Sequence, residues 1–227
     1  MERHHACSPR MLSMTTWAFV RPNPLHAAED PEVVRRLIRE NPWGTLVSNN
    51  CDELVASHYP ILLDDETQGL AVLTHVGRPD EMIHGFGERE ILLIIQGRNG
   101  YVSPSWYAPG AMRVPTWNFS AAHCYGVPQI LGEEENLAVL AKLVANFERH
   151  VEEPMLLDLD WARPVAQGTV GIRLPITRFV CKVKMSQDKD PVTQRQVIEA
   201  LRTAGPFYNP GLADDMERAL SGDKPGV

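Results

Sequence analysis

The sequence predicts a mainly β chain with α additions: an antiparallel barrel carrying peripheral and C-terminal helices. Three observations carry that expectation. Six stretches read as strands, and they do not alternate strictly with helices, which argues against a doubly wound parallel sheet. The run Ile91–Ile95 is apolar throughout, as in a strand buried on both faces. Thr169–Met185 alternates with a period of two, then changes parity. At 227 residues the chain can bury roughly 70–75% of its extended surface, enough for one large domain with a helical appendage and no staples.

The elements follow in order. Asp30-Pro31 opens a helix, because Asp caps the free N–H groups and Pro at the first position needs no donor. Val33, Val34, Leu37 and Ile38 mark its apolar face, and Asn41-Pro42 ends it. Strands are expected at 43–48, 54–63, 70–75 and 90–96, with a short helix over 79–86. The Pro- and Gly-rich stretch 98–115 reads as a long loop, and 116–131 as one long strand. A helix over 133–150 has Glu133, Glu134 and Glu135 at its positive end and Arg149 and His150 at the other. Its expected buried face is Leu137, Leu140, Ala141, Val144 and Phe147. In 169–185, Val170, Ile172, Leu174 and Ile176 share one face, and Phe179, Cys181, Val183 and Met185 continue it after a bend near Pro175–Arg178. Asp190-Pro191 starts another helix, and 211–220 is the last. Residues 1–13 are set aside as an N-terminal extension ahead of Met14, 14–187 as the barrel domain, and 188–227 as a helical segment packed on it.

Composition narrows the function. Lys and Arg number 22 against 29 Asp and Glu, a formal charge of −7 that weakly disfavours a nucleic-acid phosphate binder. No apolar run approaches the ~20 residues of a membrane helix, and no apolar core follows the basic N-terminus as in a secretory signal. Cys7, Cys51, Cys124 and Cys181 form no CxxC pair, so a reducing cytoplasm is the expected setting. The histidines are scattered without metal-ligand spacing. Gly85-Phe-Gly87 precedes a strand and does not follow one, which excludes a dinucleotide fingerprint.

Four places can carry chemistry. At Thr74-His75-Val-Gly77-Arg78-Pro79, a strand meets a helix start and three donors could converge on an anion; a solvated loop Arg beside a capping His is the plainer alternative. Of Ser57 and His58, adjacent on a strand, one must face inward and needs a partner. Arg178, Lys182 and Lys184 form a basic stripe, protective on an edge strand and an anion site on an inner one. Aromatic residues of 101–107 and 114–119 lie on Pro-stiffened chain and either pack a core, cover a subunit or wall a planar ligand.

Taken together these segments resemble the PaiB-type FMN-binding proteins, known as negative transcriptional regulators. The marks are, in order, Ile38–Ser48, Ser57-His-Tyr-Pro60, Thr74-His-Val-Gly-Arg-Pro79, Ile94-Ile-Gln-Gly97, Tyr101–Tyr107, Val114-Pro-Thr-Trp-Asn118, His123-Cys-Tyr-Gly126, Gly168-Thr-Val-Gly171 and Lys184-Met-Ser-Gln187. The resemblance runs from about residue 21 to about 201. It implies an FMN-binding split β-barrel, a homodimer with FMN at the subunit interface. It places Arg78 and His75, with Thr74, Ser57 and His58 alongside, at the flavin phosphate. Gln96 lies near the site, and Trp117, Asn118, Lys184 and Gln187 approach the ring or ribityl chain. The family often has an Ala-Asn or similar pair where this chain has Pro79-Asp80, which puts one polar contact in doubt. A flavin-dependent oxidoreductase or flavin reductase is the alternative reading. DNA as a direct partner finds no support in charge or motif.

Overall fold

The computed structural model describes residues 23–50 and 53–221. Residues 1–13, Met14, Cys7 and Cys51 lie outside them. Ten strands and six helices follow one another as β1 (Ala27–Ala28), α1 (Pro31–Glu40), β2 (Trp43–Asn50), β3 (Glu53–Pro60), β4 (Leu62–Leu63), β5 (Ala71–Gly77), α2 (Arg78–His84), β6 (Ile91–Val102), β7 (Thr116–Gly126), β8 (Gln129–Ile130), α3 (Glu133–Glu148), α4 (Leu159–Ala166), β9 (Thr169–Pro175), β10 (Arg178–Lys184), α5 (Pro191–Arg202) and α6 (Pro210–Ser221).

The strands form two antiparallel sheets. The larger has the order β1-β10-β7-β6-β2-β3, the smaller β4-β5-β9-β8. The two sheets do not close into one cylinder; the architecture is an antiparallel split β-barrel with peripheral helices. Three stretches that read as single strands in the sequence pass from one sheet to the other. Residues 54–63 divide into β3 and β4, 116–131 into β7 and β8, and 169–185 into β9 and β10. Each passage holds a proline: Pro60, Pro128 and Pro175. Proline cannot donate to a ladder, so pairing stops there and the chain turns. The freed donors find other partners: Ile61 N–H bonds Pro42 O at 3.0 Å, and Thr177 N–H bonds Tyr125 O at 2.9 Å. The expected bend at 175–178 is therefore the step from β9 to β10. Two passages meet at Gly126, where a Cβ would lie 2.0 Å from Pro175 O, so no side chain fits.

The Asp-Pro helix starts hold as expected. Asp30 accepts from Glu32 N–H at 2.9 Å, and Asp190 accepts from Val192 and Thr193 N–H at 3.0 Å each. Between the sheets, Val34, Leu37 and Ile38 of α1 join Leu46, Leu93, Ile95, Cys124, Ile172 and Leu174 in the main core. A second core joins Val102 and Met185 to Val197, Leu201, Leu212 and Met216 of α5 and α6.

Three expectations need correction. The strand from 90 does not end at 96: β6 continues to Val102 through a register shift between Gln96 and Asn99. Pairing with β7 overrides the local Gly and Asn content of 97–100. Helix α3 does not bury the single face read from its periodicity, and Phe147 is exposed. It buries two stripes. Val139 and Leu143 meet Leu73 and Leu131 beside the small sheet, while Leu137 packs on Ala162 and Ala166 of α4. Helix α4, which carries Pro164, has no counterpart in the reading of the sequence.

Candidate functional site

Strand alternation sends the nominated residues to different faces. On β3, Ser57 turns toward α2 and His58 turns out. Thr74 is fully buried, its hydroxyl donating to Pro60 O at 2.7 Å. Asn118 is also fully buried, bonded to Ser186 Oγ at 2.9 Å. Arg78 extends toward the start of β9, donating from Nε to Gln167 O at 2.6 Å, with Glu81 at 3.8 Å. Gln187 folds back on its own turn, accepting from Met185 N–H at 2.7 Å and donating to Val183 O at 2.6 Å. Ser57, His75 and Arg78 thus do not point at one spot.

Ser57 belongs instead to a polar chain that the sequence did not disclose. His84 of α2 bonds Ser48 Oγ through Nδ1 at 2.8 Å and Ser57 Oγ through Nε2 at 3.0 Å, and its ring stacks on Phe86. Burial pushes its pKa below 6.5 and keeps it neutral. Nearby, Tyr59 donates to Asp80, and its own pKa is pushed up to about 12 by burial first and then by that carboxylate. Asp80, the departure noted above, thereby ties α2 to β3. The signal for His84 was weak: a helix-end histidine looks solvated until the helix is docked.

The outward residues do come together. The face of the large sheet turned away from the core carries Trp43 and Thr45 of β2, His58 of β3, Ile94 and Gln96 of β6, Trp117 and His123 of β7, and Lys182 and Lys184 of β10. The register sets them in rows: Thr45 is opposite both His58 and Ile94, and Ile94 is opposite His123. Trp43, Thr45, His58, Ile94, Gln96 and Asn99 line an open cleft of about 450 Å³, within the range of small-molecule sites. Thr45 Oγ1 and His58 Nδ1 are 2.9 Å apart, and the Trp43 and His58 rings are stacked. Trp117 Nε1 donates to Asn99 Oδ1 at 3.1 Å at the rim. His123 Nδ1 is buried with no hydrogen-bond partner among the described residues, and burial holds this ring below its usual pKa. His75 Nδ1 is likewise unpartnered, but on the α3 side of the small sheet.

An indole ring, an aliphatic side chain and hydrogen-bonding groups around an open cleft are a lining that could hold a planar, polar-edged molecule. A family model described as "Putative FMN-binding domain" matches residues 21–178, and the chain belongs to that family. The Bacillus subtilis protease synthase and sporulation protein PAI 2 is 27% identical over 193 residues, covering 83% of this chain and 92% of that protein. An uncharacterized protein of Aspergillus fumigatus is 26% identical, covering 88% and 98%. Among solved structures, the FAD and heme binding protein from Mycobacterium smegmatis superposes with a TM-score of 0.55 at 14% identity, covering 75% of this chain and 78% of the other. A flavocytochrome from Azotobacter vinelandii gives 0.54 at 17% identity, covering 70% and 69%. At these identities the likeness is one of fold.

Among the described residues, no group of three His, Cys, Asp or Glu is placed to hold a metal ion, and no helix is long and apolar enough to cross a membrane.

Proposed function

We propose that this chain is an FMN-binding protein of the PaiB-like regulator type, with the flavin held on the outer face of the large sheet and covered by a second copy of the chain. The observation that carries it is the open cleft of about 450 Å³ on that face, lined by Trp43, Thr45, His58, Ile94 and Gln96, within the range of small-molecule sites. The residues present fit a flavin: Trp43 and Ile94 offer apolar surface to the ring, and Thr45, His58 and Gln96 offer donors and acceptors to its polar edge. When bound, FMN supplies the redox chemistry; the protein supplies position and field.

A second copy is supported by exposure. Trp43 is 59% exposed, Leu54 76% and Trp117 51%, all on this one face. Apolar surface of that kind marks an interaction site. Direct DNA contact has little behind it. Arg202 is held by Asp214 and Glu217, and Arg218 by Asp215, so these helical cations are already paired. Regulation then runs through the flavin or a protein partner. Cys124 and Cys181 are free thiols, in keeping with a cytoplasmic setting.

The test is direct. Purified protein should carry or take up FMN, with a yellow absorbance lost in a His58→Ala, Gln96→Ala double variant, and light scattering should give a dimer. A protein that stays colourless after reconstitution overturns the reading. The second reading, a flavin-dependent oxidoreductase or flavin reductase, is favoured by His58, which stands in the cleft wall yet remains open to solvent. Anaerobic bleaching of the flavin by NAD(P)H selects it. A salt-sensitive shift of the protein's own promoter DNA selects a regulator that grips DNA.

A further inference from the structure

A second cleft lies where the passage from β3 to β4 meets α1 and α3. It holds about 400 Å³, again within the range of small-molecule sites. Three segments far apart in the chain line it. The β3 ladder stops at Pro60, and Ile61, Leu62 and Leu63 then give the cleft its apolar lining. Ile38 of α1 adds to it, and both Ile38 and Ile61 are wholly buried. Helix α3 contributes Lys142, Ala145, Asn146 and Arg149, whose helical spacing places them on one face. Pro42 lines both this cleft and the one on the outer face of the large sheet, but α3 lines only this one.

The chain is acidic overall, with a charge of −7. This cleft is locally the reverse: Arg39, Lys142 and Arg149 line it against the single carboxylate of Asp65. Two of the cations are loosely held. Arg39 pairs with Asp65 at 2.9 Å and Lys142 with Glu66 at 2.8 Å, both acids belonging to the turn between β4 and β5, and all four side chains are exposed. Water screens such pairs, so they contribute little, and an incoming anion displaces them at small cost. Arg149 has no acidic partner among the described residues; its Nε–H donates to His150 Nε2 at 3.0 Å. An apolar lining rimmed by cations matches a hydrocarbon body with one anionic head. A guanidinium favours a planar carboxylate, which it binds through two parallel hydrogen bonds.

We propose that this cleft is a second small-molecule site, for an amphipathic monocarboxylate whose hydrocarbon body lies along Ile38, Ile61 and Leu63 and whose head meets Arg149, Asn146 and Lys142. The site goes beyond the flavin reading and does not depend on it.

Octanoate below its micelle concentration is the probe, and octylamine is the control of opposite charge. Wild type, Ala145→Phe, and the double variant Lys142→Gln, Arg149→Gln are titrated by calorimetry, with melting curves for each. Ala145, Lys142 and Arg149 are exposed, so both variants should melt close to wild type without ligand. Octanoate should bind wild type and raise its melting temperature. Octylamine should bind about tenfold more weakly or worse, and the double variant should lose about tenfold in octanoate affinity. Ala145→Phe should abolish octanoate binding by filling the cleft. The His58→Ala, Gln96→Ala variant, altered in the other cleft, should bind octanoate within about twofold of wild type; if it alone loses octanoate, the acid occupies the flavin cleft and the proposal is overturned. No binding by wild type, or equal binding by wild type and both α3 variants, overturns it too. Octylamine bound as tightly as octanoate would leave a plain apolar groove and sink the carboxylate assignment. A wild type that stays colourless with FMN yet binds octanoate through α3 would end the flavin reading and leave this site standing.

Discussion

The two faces of the large sheet are built from the same strands and have opposite characters. The inner face presents Leu46, Leu93, Ile95, Ala122 and Cys124, all nearly or wholly buried against α1 and the small sheet. The outer face presents Trp43, Leu54, His58, Gln96 and Trp117 to solvent. A residue on the first face is chosen by volume. On the second it is chosen by what it can touch, and its exposed positions should contribute little to the stability of the single chain.

The comparison can be broken in several ways. The largest effect is expected at the seam below the inner face. Gly126→Ala drives a Cβ into the Pro175 carbonyl, which only a backbone shift can relieve, so a loss of about 3 kcal/mol or more is expected in urea melts. A variant melting like wild type would show that the seam is pliable. Next, Leu93→Ala, at a wholly buried site, should cost about 2–5 kcal/mol by leaving a cavity. A loss below 1 kcal/mol would mean the two sheets slide together to fill it.

A smaller effect is expected from pH. Burial lowers the pKa of His84 and His75, and likewise of His26 and His123. The unfolded chain then binds more protons below about pH 6.5. Stability is complete above that value and is lost as pH falls toward the depressed native values. Melting temperature should therefore decline between pH 7 and 5, and His84→Gln should flatten the decline. A rise on acidification would contradict the neutral Ser48–His84–Ser57 chain. The smallest effect belongs to the outer face: Leu54→Ser should change unfolding free energy by no more than about 0.5 kcal/mol while weakening any dimer seen by light scattering. If it unfolds the chain, the two faces are not as distinct as their exposure indicates.

The legibility of these features follows their range. Helix starts at Asp30 and Asp190 were readable because the cap and its donors are within three residues. The bend at 175–178 was readable because a parity change is written along one strand. The division of 54–63 and 116–131 between two sheets was not, since a strand carries no label for its neighbour. Helix α4 escaped because Pro164 masks an eight-residue helix whose burial comes from α3. In the site, alternation foretold that Ser57 and His58 would part, but only the register shows that His58, Gln96 and Trp117 share a face with Lys182 and Lys184. His84 escaped because its meaning lies in Ser48 and Ser57, 36 and 27 residues away.

By itself the sequence determined five of the six helices, the stretches that become strands, the parity change near 175–178 and the family. These depend on neighbours along the chain, or on segments recognisable one by one. The tertiary structure alone decided which strands pair, that Arg78 donates to Gln167, and that Lys182 and Lys184 are half-buried without an acidic partner among the described residues. Such facts are contacts between residues far apart in the chain. Their energies exist only once the entropy of bringing those residues together has been overcome.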